Sequence, residues 1–137
     1  MAKIERITKE SFAPFGTVIE FPEGNKENFY IVDTEELKPW RIAVFRYRNR
    51  TIKTIERHPS SKESFEPLSG VTLLLTAETE KPEQYRIFLL DRPVCLKKNI
   101  WHQVLALSEE ASVKITENLE VESVFYNLDQ EINPQVC

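Results

Sequence analysis

The chain has 137 residues, 41% hydrophobic and 29% charged, with 18 basic against 22 acidic side chains and a formal net charge of −4. That length suits one domain, expected over residues 1–137, and that apolar content excludes a disordered chain. The acidic balance argues against general nucleic-acid binding, which draws most of its affinity from a basic footprint.

In chain order, Thr8-Lys-Glu-Ser-Phe-Ala-Pro-Phe-Gly16 reads as a helical turn capped by Thr8 and stopped by Pro14 and Gly16. Short strands are then predicted over 17–21, 29–32, 40–47, 51–57, 71–77, 85–90, 103–107, 112–116 and 122–127. No helical pattern intervenes, so the crossovers that a parallel sheet needs are missing. The pattern predicts an all-β sandwich or closed antiparallel barrel. Nothing approaches the roughly 20 apolar residues that span a bilayer, and the opening Met1-Ala-Lys-Ile-Glu-Arg6 lacks the hydrophobic run of a secretory signal. We therefore expect a cytoplasmic protein with no membrane partner. Cys95 and Cys137 lie far apart, with no CxxC or neighbouring His, and read as unpaired structural thiols.

The two histidines carry the chemical signal. Glu56-Arg-His58-Pro-Ser-Ser-Lys-Glu63, followed by Gly70, keeps the spacing of the first cupin motif, with Glu56 where its first His stands. Lys97-Lys-Asn99-Ile-Trp-His102 resembles the second motif, P-x-G-x-x-H, with Lys97 and Asn99 replacing Pro and Gly. Residues two apart on a strand share a face, so Glu56 and His58 can both look into a barrel while Arg57 faces away. A turn can return Glu63 to them, and His102 must arrive from a distant strand. Glu56, His58 and His102 form a set that suits nickel, manganese, iron or zinc, although such a centre can also work without metal.

Longer matches make the likeness more specific. Ile7-Thr-Lys-Glu-Ser-Phe-Ala-Pro-Phe-Gly-Thr-Val-Ile-Glu20, Phe45-Arg46, Ile55-Glu-Arg-His-Pro59, Phe65-Glu-Pro-Leu68 and Asn99-Ile-Trp-His102 resemble the ureidoglycolate lyase family of cupins. The resemblance implies a cupin-type jelly roll and a homodimer. It also implies cleavage of ureidoglycolate to glyoxylate and urea, in the salvage of purine nitrogen through allantoin. Departures from the family pattern fall at Lys62, Glu63, Leu96-Lys-Lys98, Gln103 and Ile115-Thr-Glu-Asn-Leu119.

Such a cleavage needs a base, an acid and an anion clamp. Glu56 or Glu63 can be the base if burial raises its pKa, while His58 and His102 hold a metal or shuttle the proton. Among the basic residues Arg41, Arg46, Arg48, Arg50, Lys53 and Arg57, we expect Arg46, with Lys97, to bind a small anionic substrate, and Trp101 to line its pocket. Two other readings stay open: an enzyme on another small hydroxy or keto acid, and a non-catalytic cupin that binds a small anion.

Overall fold

In the computed structural model, which describes residues 3–134, eleven strands and one short helix follow one another among the described residues. They are β1 (Ile4–Arg6), α1 (Lys9–Phe12), β2 (Gly16–Val18), β3 (Trp40–Tyr47), β4 (Ile52–Arg57), β5 (Glu63–Ser69), β6 (Thr72–Ala77), β7 (Arg86–Leu89), β8 (Val94–Leu96), β9 (Trp101–Ala106), β10 (Ala111–Asn118) and β11 (Val124–Ile132). Six form one sheet in the order β1-β7-β6-β9-β4-β11, and five form the other in the order β2-β8-β5-β10-β3. Every pairing is antiparallel except β1 with β7. Two antiparallel-rich sheets face to face, with consecutive strands shared between them, make the cupin-type jelly roll expected from the sequence.

Side-chain alternation explains how the sheets close. In β10 the residues Ala111, Val113, Ile115 and Glu117 are buried, and those between them are half-buried. Their inward row meets Leu74, Phe88 and Val104 of the six-stranded sheet in a core sealed at one end by Phe12 and Phe15. The rings of Phe12, Phe15 and Phe88 meet edge to face at 5.2 to 5.9 Å between centroids. A second cluster lies on the other face of that sheet, where Leu73, Leu75, Ile87, Trp101 and Leu105 pack with Leu128 and Ile132 of β11. Because both faces are covered, β6 is buried along its whole length, as its near-continuous apolar run requires.

The predicted helical turn is present. Thr8 accepts the Ser11 N–H through Oγ1 at 3.0 Å, and Ser11 Oγ returns the contact to the Thr8 N–H at 2.9 Å. Three differences from the sequence reading have physical causes. Residues 29–32 are a β-prone aromatic and β-branched run, Phe-Tyr-Ile-Val, but pair with nothing as a strand. The strands β1 and β8 were not foreseen, being only three residues long. The strand β5 was hidden by Pro67, which lacks the donor a ladder needs and sits at the register shift opposite Val113. Gly70 ends β5's hairpin at φ 72°, where an added Cβ would lie 2.2 Å from the Glu110 carbonyl oxygen. Cys137 lies outside the described residues, and Cys95 is a free thiol that burial pushes up to about 11. Among the described residues no helix is long and apolar enough to cross a membrane.

Candidate active site

Four elements deliver ionisable side chains to one buried cluster between the two sheets. Glu56 is in β4 and stands opposite His102 of β9 in register, and His58 follows directly after β4. Glu63 opens β5 and stands opposite Glu117 near the end of β10. His58, Glu63, His102 and Glu117 are each less than a tenth exposed, whereas Glu56 is half-buried.

One carboxylate oxygen joins the two rings. Glu63 Oε1 lies 2.9 Å from His102 Nε2 and 3.2 Å from His58 Nε2, and the ring centroids are 5.0 Å apart. Glu117 Oε1 is 4.0 Å from His58 Nε2, and Glu56 Oε1 is 3.9 Å from His102 Nε2. The outer ring nitrogens are held by backbone: His58 Nδ1 donates to the Glu122 carbonyl and His102 Nδ1 to the Ile100 carbonyl, both at 2.9 Å. Nε2 of each ring therefore points into the centre with its proton or lone pair available.

The charges shift one another. Burial alone would lower the His58 pKa, but Glu63 and the Glu122 carbonyl outweigh it and lift the group to about 9. His102 is raised in the same way, burial being overcome chiefly by Glu63. Burial would raise Glu63, yet the two imidazoles hold it down at about 2. Glu63 is thus a fixed carboxylate, and the expectation that burial makes it a base is corrected. Glu117 goes the other way, raised first by burial and then by Glu63, against the opposing pull of Arg41. Arg41 grips Glu117 Oε2 through Nη2 at 2.6 Å and Nε at 3.1 Å.

The arrangement fits a divalent cation. Glu56, His58 and His102 offer ligand atoms that all lie within 4.8 Å of one another, as do those of His58, Glu63 and Glu117. Although His102 Nε2 and Glu63 Oε1 are close, neither makes a well-aligned hydrogen bond, and Glu117 Oε1 has none either. Buried polar atoms left so are costly unless another partner reaches them. A dication would take the place of the ring protons that the carboxylates favour, since with neutral imidazoles three carboxylates would face one guanidinium. Imidazole and carboxylate ligands admit zinc, manganese, iron and nickel alike.

The expected substrate-binding residues lie elsewhere. Trp101 precedes His102 on one strand and therefore faces the opposite side of the sheet, in the second cluster, with its Nε1 donating to the Thr79 carbonyl at 2.9 Å. Arg57 stacks over its ring at 5.1 Å. Arg46 is exposed and pairs with Glu110 at 3.3 Å. Lys97 is exposed beside the N-terminal turn, its backbone N–H donating to the Phe15 carbonyl. Glu117, with its partner Arg41, was not foreseen as part of the site. The signal was a charged residue continuing the inward apolar row Ala111, Val113, Ile115. The turn between β8 and β9 is tied to the end of β4: Asn99, at φ 72°, donates its N–H to the His58 carbonyl at 3.0 Å and accepts from Arg57. The left-handed backbone there explains why a Gly is usual at this point of the cupin motif.

Fold and site together define a jelly-roll protein with a buried histidine–carboxylate centre. Comparison with known proteins narrows that class. A model of the family described as ureidoglycolate lyase matches residues 34–133. A ureidoglycolate lyase of Brucella anthropi is 32% identical over 130 residues, covering 80% of this chain and 77% of the relative. Ureidoglycolate lyase 1 of Rhizobium meliloti is 35% identical over 126 residues, covering 77% and 74%. The chain belongs to the ureidoglycolate lyase family. Among solved structures, an oxalate decarboxylase aligns at a TM-score of 0.48 with 13% identity, over 66% of this chain and 24% of that one. A dTDP sugar isomerase of Desulfovibrio desulfuricans aligns at 0.46 with 11% identity, over 87% and 81%.

Proposed function

We propose that the protein is a lyase that cleaves ureidoglycolate to glyoxylate and urea, in the cytoplasm, with His58, His102, Glu56, Glu63 and Glu117 as its working groups. The observation that carries this reading is the pair of imidazole Nε2 atoms gathered on Glu63 Oε1 inside the barrel of a chain that belongs to this family. Small-acid alternatives and a purely binding role gain no support from a centre so rich in perturbed acid and base groups.

The reaction removes the proton of the substrate hydroxyl, and the O–H electron pair becomes the second bond of the aldehyde carbonyl. The C–N bond breaks with its electrons on nitrogen, and one proton delivered there completes urea. Glu56, the most accessible carboxylate of the centre, takes the hydroxyl proton. Glu117, raised by burial and by Glu63 and facing His58, gives a proton to the departing nitrogen. Glu63 stays ionised and holds both rings in place. His58 and His102 would hold a divalent metal, and such an ion would supply Lewis-acid stabilisation of the developing alkoxide, leaving Glu56 beside it as the base. The assembly is read as a homodimer: β3 is an edge strand whose outer face exposes Trp40, Ile42 and Val44, surface that a second copy would cover.

The test is urea release from purified protein given ureidoglycolate, with chelator and with nickel, manganese or zinc. Release well above the spontaneous rate is expected with at least one ion, and release at the background rate in every condition refutes the lyase.

A further inference from the structure

We propose that Arg41 is the anchor for the substrate's carboxylate, and so the residue that makes the site select 2-hydroxy acids over neutral ureas. The inference rests on the lyase reading for the identity of the substrate, but its geometry stands apart from it. Glu56, Glu63 and Glu117 occupy the inside of the centre, so an incoming carboxylate is better received by a cation beside them than among them.

Most cations with a carboxylate partner are taken up by it: Arg46 and Arg48 pair with Glu110, Arg86 with Glu5 and Lys114 with Glu66. Lys62 lines the same cavity as Glu117, but its ammonium is held by Asp33 and the Thr34 carbonyl, and Lys98 is held by Glu35. Arg57 lies over Trp101 on the opposite face of its sheet. Arg41 differs. It stands opposite Glu117 in the β10–β3 register and so shares the inward row of Ala43, Phe45 and Tyr47.

Its own contacts leave it half free. Nε and Nη2 both go to the same oxygen, Glu117 Oε2, while the other oxygen of that carboxylate faces His58. Among the described residues no hydrogen bond occupies Nη1, and the side chain is 42% exposed, although its partner is only 6% exposed. The guanidinium is therefore oriented by a buried carboxylate and offers its remaining edge to solvent beside Glu117. A planar fork held in that way suits a carboxylate. A carboxylate one bond from the reacting carbon would hold that carbon beside the groups around His58.

The test compares two probes that share a hydroxyl-bearing carbon: glycolate, which carries a carboxylate, and hydroxymethylurea, which does not. Their binding to the full chain, wild type and Arg41→Gln, is followed by calorimetry. The Gln variant should bind glycolate about 10- to 100-fold more weakly, the loss typical of a charge-assisted hydrogen-bonded pair, and hydroxymethylurea within about 2-fold of wild type. Arg41→Lys, which keeps the charge without the fork, should fall between them, and it serves if the Gln variant does not fold. Equal weakening of both probes would mean that Arg41 only holds Glu117, and unchanged glycolate binding would remove the anchor outright. In turnover the Gln variant should raise KM for ureidoglycolate by a similar factor with a smaller effect on kcat. Glycolate selectivity that depends on Arg41 in a protein releasing no urea would overturn the lyase and keep the anchor; urea release with KM unchanged in the variant would do the reverse.

Discussion

The strand pair β3–β10 carries arginine–glutamate contacts at both of its ends, and they behave differently. At one end Arg46 and Arg48 share Glu110, with side chains 72%, 70% and 35% exposed. At the other, Arg41 holds Glu117, whose side chain is 6% exposed and whose pKa is raised by burial and by Glu63. The residue types and the ladder are the same. What separates them is water: solvent screens the first cluster to near silence, whereas the second sits among charges that cannot be hydrated and so must answer to one another. Chemistry in this fold is placed where the inward row of a strand runs past the end of the apolar core.

That contrast is broken most directly at Glu63. Replacing it with Gln keeps the shape and removes the charge that lifts both imidazoles. Activity should fall about 10- to 100-fold, the range for a group that orients site histidines, and metal affinity should drop with it. Turnover and calorimetric titration of zinc would check both. Retention of more than a tenth of the activity would mean that Glu63 is not the centre's organising charge.

The same group sets a pH dependence in the metal-free protein. His58 is raised to about 9, so its contribution to stability is complete below its unfolded value near 6.5 and lost as pH rises through 9. Glu63 is lowered to about 2, so its share is complete above its unfolded value near 4.5 and lost as pH falls through 2. The two describe one interaction and are not added. Stability should be greatest between about pH 4.5 and 6.5 and fall by on the order of 2 kcal/mol by pH 9.5. Urea unfolding of chelated protein at pH 5.5 and 9.5 would show it, and Glu63→Gln should flatten the difference.

A smaller effect sharpens the role of the turn between β8 and β9. Asn99→Ala should cost about 1–2 kcal/mol, because a Cβ-bearing residue without the Asn side chain pays for the left-handed backbone. Asn99→Gly should recover most of that while still losing the acceptor for Arg57. Thermal unfolding of the two variants distinguishes the backbone share from the side-chain share. Smallest of all, Arg46→Ala should change stability by no more than about 0.5 kcal/mol and leave KM for ureidoglycolate where it was. A large rise in KM would return Arg46 to the substrate.

The legible parts of the sequence were those governed by local periodicity. Residues 40–47 form β3 with the bounds expected from their β-branched and aromatic content, and the Glu56, His58 pair takes the shared face that two-residue spacing predicts. Long-range pairing was less visible. Residues 29–32 have strand composition but no neighbour to bond, whereas β5 has a proline and still pairs on both sides. Within the site, spacing found His58, His102, Glu56 and Glu63 but not Glu117, since nothing local tells a buried glutamate from an exposed one on a strand. Trp101 stands beside His102 in sequence, and strand parity turns it away. Arg46 and Lys97 were selected by matching to a motif, which does not specify which way a side chain points.

Glu63 Oε1 serves two imidazoles at once, and this couples their fates. A ligand that draws the oxygen towards one ring loosens its hold on the other, so proton occupancy at the pair is traded rather than summed. The centre therefore titrates as a single device, and its two rings cannot be tuned independently by any substitution that leaves their common oxygen in place.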